Sequence, residues 1–444
     1  MLDSGQTSRT GDHLRRRPRW AVAALAAAAV FALPACGVGG GGGAASDEDP
    51  NAPVTITFTW WGDEQRANAT NKAIELFHQR NPNITVQTSF SGFQAYWDKL
   101  ATQTAGGSMP DVLQMDVRYL SEYGERGVLR DLDQVVGKEI TLDDVNPALA
   151  DTGKAKGTRY AVPFAQNTSS LMYEPKAWAA GGIDLAGQVT WSQFREAARR
   201  VSESTGFQVS GVTDFGGSDN AMEIWLRQHG KGFYTEQGTL GFGAPELTEF
   251  WRLTDSFRTS RAATPAELTA TINQSPEQAP LGRRLSAAET AYDSVYPASQ
   301  SANGQPLKLA AFPTDTGTLG QYRRGSMLLS ASARSQAPLA SAKLINFLIN
   351  DPEAGAILGT NRGLPPNLKI REQLASTATG TSKEIFDFEA AVDSRLGPAP
   401  VTPPKGAGAI QLLFQRTYEE VAFGRLSLDA AVARFFDEAA KDLK

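Results

Sequence analysis

The stretch Val54–Gly62 constrains the fold of this chain more than any other part of its sequence. Apolar or aromatic residues at positions 54, 56, 58 and 60 alternate with three threonines and then Trp61. This period of two predicts a β-strand with one apolar face, and Gly62 has the chemistry of the turn that ends it. The alternation predicts that Trp60 belongs to the core. Trp61 falls on the threonine face at the carboxyl end, where open α/β sheets collect ligands, so it is a candidate for a binding surface as well as for the core.

The N-terminal segment has the pattern of an export signal. Arg15, Arg16, Arg17 and Arg19 lie shortly before the apolar run 21–33, which is too short to span a bilayer as a permanent helix. The run ends in Leu33-Pro34-Ala35-Cys36-Gly37, which resembles a bacterial lipobox, and Cys36 is the only cysteine in the chain. We predict a lipoprotein signal peptide over residues 1–36, lipid attachment at Cys36, and a flexible Gly-rich tether over 37–53. An ordinary signal peptide is the alternative, and both the general and the twin-arginine export routes stay open.

Composition argues against several classes of function. The net charge of −5 on 444 residues does not indicate a nucleic-acid partner. A single cysteine excludes an intramolecular disulfide. His78 and His229 are the only histidines after the predicted signal, which argues against a zinc or iron–sulfur site. We therefore expect no metal and no cofactor, and we expect a monomer.

Strand and helix patterns alternate after the first strand. Glu64–Arg80 is predicted to be an amphipathic helix, Ile84–Phe90 a second strand, and 111–115 a third strand after a helix that begins at Phe93. This alternation predicts an α/β fold with a largely parallel sheet. Further along, two short extended runs flank the polar segment Ala165–Ser169, which predicts a crossover between two lobes.

Several stretches match one known protein family in order and spacing. They are Trp60-Trp61-Gly62-Asp63-Glu64, Phe93-x-x-Tyr96-Trp97-Asp98-Lys99-Leu100, the run 109–116 continuing to 127–132, Tyr160-Ala161-Val162-Pro163 with Leu171-Met172-Tyr173-Glu174, the helix 342–348, and Gly363-Leu364-Pro365. With these motifs, residues 54–444 resemble the extracellular solute-binding proteins of bacterial ABC importers. The similarity is to the carbohydrate-binding group that includes the maltose-binding proteins.

The resemblance implies an α/β fold of the two-lobe, periplasmic-binding-protein-like (type II) class, with a hinge and an interlobe cleft. It places the N-terminal lobe at residues 54–164 plus about 295–337, and the C-terminal lobe at 165–294 plus 338–444. The ligand-loaded form would dock on ABC permease subunits in the membrane. The predicted lipid would hold the exported protein at the outer face of the cell membrane.

A sugar site needs aromatic rings for the apolar faces of the sugar and paired donors and acceptors for its hydroxyls. Residues of these types near positions that resemble the family's cleft are the candidate ligand contacts: Trp61, Asp63, Glu64, Phe93, Asp116, Arg118, Asn167, Asn220, Glu223, Trp225, Tyr292, Asp293 and Arg362. Asp63 and Glu64 would equally stabilise a helix N-terminus. Phe93 and Trp225 would equally belong to the core. Asp116 and Arg118 would equally form a surface ion pair, and Asn167 would equally cap the hinge.

The resemblance and the aromatic candidates predict that the protein captures an oligosaccharide without catalysis. One alternative is a binding protein for a non-sugar solute, such as a polyamine, a glycerophosphodiester or a peptide. Another is a secreted glycoside hydrolase, because 48 acidic residues always supply carboxylate pairs. The sequence contains no G-x-S-x-G elbow, no H-E-x-x-H motif and no P-loop.

Overall fold

The predicted first strand is the start of a mixed sheet in the computed structural model, which describes residue 49 and residues 51–270 and 275–443. The predicted signal peptide, Cys36 and nearly all of the predicted tether lie outside these residues. The strands are β1 Val54–Trp61, β2 Ile84–Ser91, β3 Val112–Met115, β4 Lys154–Ala155, β5 Thr158–Arg159, β6 Val162–Tyr173, β7 Ala288–Tyr292, β8 Lys308–Ala310 and β9 Arg323–Ala331. As the alternation predicts, Trp60 is fully buried.

Sixteen α-helices surround the strands in the described ranges. They are α1 Glu64–Arg80, α2 Phe93–Ala105, α3 Val117–Glu125, α4 Pro147–Ala150, α5 Pro175–Trp178, α6 Trp191–Ser204, α7 Asp219–Gln228, α8 Ala244–Thr259, α9 Ala266–Thr269, α10 Tyr296–Asn303, α11 Pro338–Asn350, α12 Pro352–Leu358, α13 Leu368–Thr377, α14 Gly380–Val392, α15 Ala407–Ala422 and α16 Leu428–Asp442. The predicted bounds of α1 are confirmed, and its N-cap is Asp63, whose carboxylate accepts a hydrogen bond from the Arg66 backbone N–H at 2.7 Å.

The sheet is less parallel than the alternation of elements predicts. Its order is β2-β1-β3-β9-β6-β7, with β8 also paired to β6. The β1–β2 and β1–β3 pairs are parallel, whereas β9 runs antiparallel to both β3 and β6, and β7 and β8 run antiparallel to β6. The prediction of a largely parallel sheet is therefore wrong. It assumed that every helix–strand alternation is a simple crossover, but β9 returns to the sheet from a distant part of the chain.

Strand β6 connects the two halves of the molecule. Residues 162–168 pair with β9, and residues 169–173 pair with β7. The change of partner falls inside the predicted crossover Ala165–Ser169. The structure differs from the prediction in that the flanking runs are one continuous strand. Nearly all of its side chains are buried, polar ones included, so the period of two is hidden.

Hydrophobic side chains gather in three cores around this strand. The first core takes side chains from β1–β3, α1–α3, the start of β6, the end of β9, and α11 and α12. Leu171 and Met172 are consecutive in β6 and point to opposite faces, as strand geometry requires. Leu171 packs in the second core, with α6, α7, α8, α15 and α16, and Met172 packs in the smaller third core, with α10, β8 and α14.

The packing of α11 and α12 bears on the predicted lobe boundaries. The predicted C-terminal lobe contains residues 338–444, yet Leu344, Leu348 and Ala354 are buried in the first core with β1 and α1. The predicted N-terminal lobe contains residues 295–337, yet Tyr296 and Leu309 are buried in the third core. The predicted lobe boundaries stay a prediction, beside hydrophobic cores that group these residues differently.

No helix within residues 51–270 and 275–443 is both long enough and apolar enough to cross a membrane.

Candidate functional site

A cavity lies between α3, whose apolar side chains pack in the first core, and α7, whose side chains pack in the second core. Its empty space is about 720 Å³, counted out to the open solvent. The cavity is lined by Val117, Arg118, Thr152, Asp219, Asn220, Glu223, Phe233, Tyr234, Tyr322, Arg324, Ala399, Pro400, Val401, Pro403 and Ala407.

Two helix N-termini bring polar side chains to this cavity. Asp116 caps α3, and its carboxylate accepts a hydrogen bond from the Arg118 backbone N–H at 2.8 Å. Ser218 caps α7, and its hydroxyl accepts from the Ala221 backbone N–H at 3.1 Å. These caps end the preceding loops, so that the first turns of α3 and α7 carry Arg118 and Asn220 into the cavity wall.

Two ion pairs lie at the cavity. Arg118 Nη2 lies 3.4 Å from Asp219 Oδ2, and this pair joins α3 to α7. Arg324 Nη2 lies 3.1 Å from Asp116 Oδ1. Burial by itself would lower the pKa of Arg118, but Asp219 and Asp116 more than offset it, and the pKa is raised. Both guanidinium groups therefore stay charged and act as hydrogen-bond donors only.

Asn220 is the centre of a hydrogen-bonded network at the cavity. Its amide oxygen accepts from the hydroxyl of Tyr292 at 3.0 Å and from that of Tyr322 at 3.3 Å. Its amide nitrogen donates to Ser169 Oγ at 2.7 Å. Arg324 Nη1 donates to the Tyr292 hydroxyl at 2.5 Å. The network therefore continues from β6 through α7 and β7 to β9.

Glu223 supplies a carboxyl group one turn further along α7. Its Oε2 accepts from the Phe233 backbone N–H at 2.5 Å, and its Oε1 lies 3.6 Å from Arg227 Nη1. Burial raises the pKa of Glu223, although the Phe233 N–H and the Arg227 charge oppose this shift. The cavity thus offers carboxylate acceptors beside guanidinium and amide donors.

Residues 397–406, which we call the strap, form another wall of the cavity. The strap runs from α14 towards α15, and Arg227 Nη2 donates to the Pro398 carbonyl oxygen at 2.6 Å. On the other side of the cavity, Ser121 Oγ donates to the Pro403 carbonyl oxygen at 2.6 Å. Thr402 Oγ1 donates to the Lys154 carbonyl oxygen at 2.8 Å. The strap therefore contacts both α3 and α7 across the cavity.

The structure brings together part of the predicted set of site residues. Arg118, Asn220 and Glu223 line the cavity. Asp116 and Tyr292 do not line the cavity themselves. Asp116 is hydrogen-bonded to the lining residue Arg324, and Tyr292 is hydrogen-bonded to the lining residue Asn220. The other predicted residues are absent from the cavity lining: Trp61, Asp63, Glu64, Phe93, Asn167, Trp225, Asp293 and Arg362.

Trp61 packs in an aromatic cluster of the first core. It is 7% exposed, and its ring lies 5.5 Å from Phe93, 5.3 Å from Tyr96 and 5.9 Å from Trp97. Asp63 and Glu64, in contrast, are exposed at the start of α1. The ligand roles of these residues stay predictions, and their observed contacts are those of the structural alternatives.

The remaining predicted residues are buried at other places. Trp225 stacks near His229 in the second core, with ring centroids 4.2 Å apart. Asn167 Nδ2 donates to Ser294 Oγ at 2.8 Å, and Asp293 Oδ1 accepts from the Thr168 backbone N–H at 3.1 Å, both at the crossover of β6. The Arg362 guanidinium lies 5.0 Å from the centre of the Phe164 ring.

Sequence reasoning missed several cavity residues, namely Asp219, Tyr234, Tyr322 and Arg324. Arg324 follows Arg323, and such a pair at a strand edge resembles an ordinary solvated surface. Tyr322 directly precedes β9 and Arg324 is its second residue, and the sequence patterns given above do not predict a strand there. Asp219 directly precedes the predicted Asn220, and this position is the one feature of the sequence that indicates Asp219 as a cavity residue.

In the part of the chain that the structure describes, no group of three or more His, Cys, Asp or Glu side chains could hold a metal ion. The cavity offers hydrogen-bonding groups and ring faces. Its lining combines donor-only arginines, carboxylates, an amide and the aromatic rings of Phe233, Tyr234 and Tyr322.

Comparison with known proteins identifies the family of this chain. The model of the family described as bacterial extracellular solute-binding protein matches residues 61–355. A mannitol-binding protein of Pseudomonas aeruginosa is 27% identical over 130 residues, which is 29% of this chain and 29% of that protein. The match thus spans less than a third of the length of this relative.

Solved structures extend the likeness to most of the chain. A family 1 extracellular solute-binding protein from Alicyclobacillus acidocaldarius is 29% identical, with a TM-score of 0.68, and the match covers 88% of this chain and 99% of that one. A periplasmic oligogalacturonide-binding protein of Yersinia enterocolitica is 22% identical, with a TM-score of 0.75 and coverage of 88% and 100%. These likenesses confirm the predicted two-lobe α/β fold.

Proposed function

Because the chain belongs to the bacterial extracellular solute-binding protein family, we propose that it captures a carbohydrate between its two lobes and delivers it to an ABC permease. The ligand is an oligosaccharide. The observation that carries the proposal is the cavity between α3 and α7, where two ion pairs and an amide network stand beside three aromatic rings. Sugar recognition needs this combination of paired polar groups and apolar ring faces.

The names of similar proteins support this ligand class. The Pseudomonas relative is a mannitol-binding protein, and the Yersinia structure is of an oligogalacturonide-binding protein in complex with saturated digalacturonic acid. Both ligands carry several hydroxyl groups. A polyhydroxylated solute would satisfy the donors and acceptors of the cavity together, which a purely cationic solute would not.

Capture requires that the ligand contact both halves of the molecule. Arg118 belongs to α3 and Asp219 and Asn220 belong to α7, so one ligand in the cavity would contact side chains from both sides. Such a ligand stabilises the closed arrangement by its differential affinity for it. Small-angle scattering should therefore show a smaller radius of gyration with a binding oligosaccharide than without it. An unchanged radius of gyration in the presence of saturating ligand would contradict closure.

We further propose that the exported protein is a monomer held at the outer face of the membrane by a lipid on Cys36, and that it has no catalytic activity. The lipobox-like sequence Leu33–Gly37 supports the anchor. Labelling of cells with an alkyne fatty acid should modify the wild-type protein but not the Cys36→Ser variant. A carbohydrate recovered with new reducing ends after incubation with the protein would indicate a glycoside hydrolase instead.

A further inference from the structure

The orientation of the Asn220 amide is set by a chain of hydrogen bonds that begins outside the cavity. Asp116 accepts from Arg324, and Arg324 donates to the Tyr292 hydroxyl. A guanidinium group has five N–H donors and no acceptor. The Tyr292 oxygen therefore accepts from Arg324 through a lone pair, and the hydroxyl hydrogen is left for its other partner.

The other partner of the Tyr292 hydroxyl is the Asn220 side chain. Burial raises the pKa of Tyr292, although the neighbouring arginines oppose this, so the phenol keeps its proton through the neutral pH range. It donates that proton to Asn220 Oδ1 at 3.0 Å, and the Tyr322 hydroxyl lies 3.3 Å from the same oxygen. With the amide reversed, its N–H groups would face the Tyr292 hydroxyl hydrogen, which would then lack an acceptor in this network.

We infer that Tyr292 is a positioning residue that turns the Asn220 amide so that it presents an N–H donor, and not its carbonyl oxygen, to the ligand. One amide N–H is taken by Ser169 Oγ at 2.7 Å. The second N–H is the amide group left for a ligand, because Asn220 lines the cavity and its amide oxygen already accepts from two tyrosine hydroxyls. This inference rests on the proposed function and extends it to ligand selection.

The N–H that Asn220 presents selects the chemical class of the ligand group that contacts it. That group must accept hydrogen bonds, so a sugar hydroxyl, a ring oxygen or a sugar carboxylate fits. A protonated amine has donors only and would leave this N–H unpaired. The lining also holds the carboxyl groups of Asp219, which pairs with Arg118, and of Glu223, and these accept from the donor hydrogens of the same ligand.

The test is a double-mutant cycle on the dissociation constant, measured by titration calorimetry with the full chain and the solute that binds it best in a panel of oligosaccharides and polyamines. Asn220→Asp replaces the amide donor by an acceptor and should raise the Kd at least tenfold. Tyr292→Phe should raise the Kd severalfold in the wild-type background and leave it nearly unchanged in the Asn220→Asp background. That non-additivity is the signature of a residue that acts through another.

A matched control separates positioning from a structural effect. Tyr296 also has a buried hydroxyl, which donates to the Leu307 carbonyl oxygen at 2.7 Å in the third core. Tyr296→Phe should lower stability without changing the Kd in either background.

The possible failures are distinguishable. An Asn220→Asp protein that binds its sugar as well as the wild type, or additive effects of the two substitutions, would overturn the inference and leave the proposed function intact. Tight binding of a polyamine with no response to any sugar would overturn both.

Discussion

Asp214 has a buried carboxyl group in the second core, and its protonation links stability to pH. Both carboxyl oxygens lie 2.9 Å from the Tyr418 hydroxyl, and Oδ1 also accepts from the Gly216 backbone N–H. Burial raises the pKa of Asp214 from 3.8 to about 6. Between these values the folded state holds a proton that the unfolded state has released. The free energy of unfolding therefore falls as pH rises through this window, by about 3 kcal/mol in total.

Asp214→Asn should remove this pH dependence. The asparagine oxygen still accepts from Tyr418, but it has no proton to lose. Urea unfolding at pH 4, 5 and 6 should give a flatter stability curve than the wild-type protein shows. Asp143→Asn, at an exposed carboxylate, is the control and should keep the wild-type slope. An Asp214→Asn curve as steep as the wild-type curve would show that other groups cause the slope.

Trp61 provides a second test at the residue scale. Its ring is nearly enclosed by Phe93, Tyr96 and Trp97, so Trp61→Ala should lower the free energy of unfolding by about 3–5 kcal/mol. Phe90→Ala, at a ring that is 37% exposed, should cost much less. Wild-type stability together with weakened sugar binding would instead identify Trp61 as a ligand contact.

Single residues of the cavity were predictable where the sequence placed polar side chains just after an element boundary. Arg118 is such a residue, because it follows the carboxyl end of the third strand. Tyr322 and Arg324 were not predictable, because they depend on the register of β9 against β6, where Arg324 pairs with Asn167. Register between strands so distant in sequence has no local signal.

At the scale of elements, the crossover of β6 depends on a close approach by the chain around Gly363. The Gln166 and Leu364 backbones exchange hydrogen bonds of 2.8 and 2.9 Å. Gly363 has a φ of +115°, and a Cβ there would lie 1.7 Å from Asn167 Oδ1 and 2.3 Å from the Gln166 carbonyl oxygen. Only glycine fits this conformation and this contact without strain.

Gly363→Ala should therefore destabilise the protein far more than a matched substitution elsewhere. Gly304 also has a positive φ, of +71°, but a Cβ there meets no atom within 4 Å. Gly304→Ala should cost roughly 1–2 kcal/mol, the cost of the left-handed conformation alone. Gly363→Ala adds the steric clash, worth about 1–3 kcal/mol or more. Equal melting temperatures for the two variants would show that the backbone of β6 can shift to make room for the added methyl group.

The sequence predicts which segments form helices and strands more reliably than it predicts how these elements pack together. The bounds of α1 are predicted correctly because amphipathic periodicity and a capping residue define them locally. The continuity of β6 is not, because its buried polar residues lack alternation. Their partners, such as Asp293 for Thr168 and Ser294 for Asn167, come from 125 and 127 residues away in the chain.

At the scale of the whole molecule, the cavity is the place where side chains of the two halves contact each other. Arg118 and Asp219 pair across it, and the strap contacts both walls. A ligand that satisfies these groups together favours the arrangement in which they are close. A neutral polyhydroxylated ligand fits beside these charges, because the two arginines are already neutralised by Asp116 and Asp219.

A thermal-shift screen of the purified protein against mono- and oligosaccharides, polyamines, peptides and glycerophosphodiesters tests the central claim most directly. A ligand at a hundred times its Kd adds about 2.7 kcal/mol of stability, which raises the melting temperature visibly. We predict a selective rise with one series of oligosaccharides, and a much smaller rise for Asn220→Asp. No response to any sugar, with a clear rise for a polyamine, a peptide or a glycerophosphodiester, would contradict carbohydrate capture.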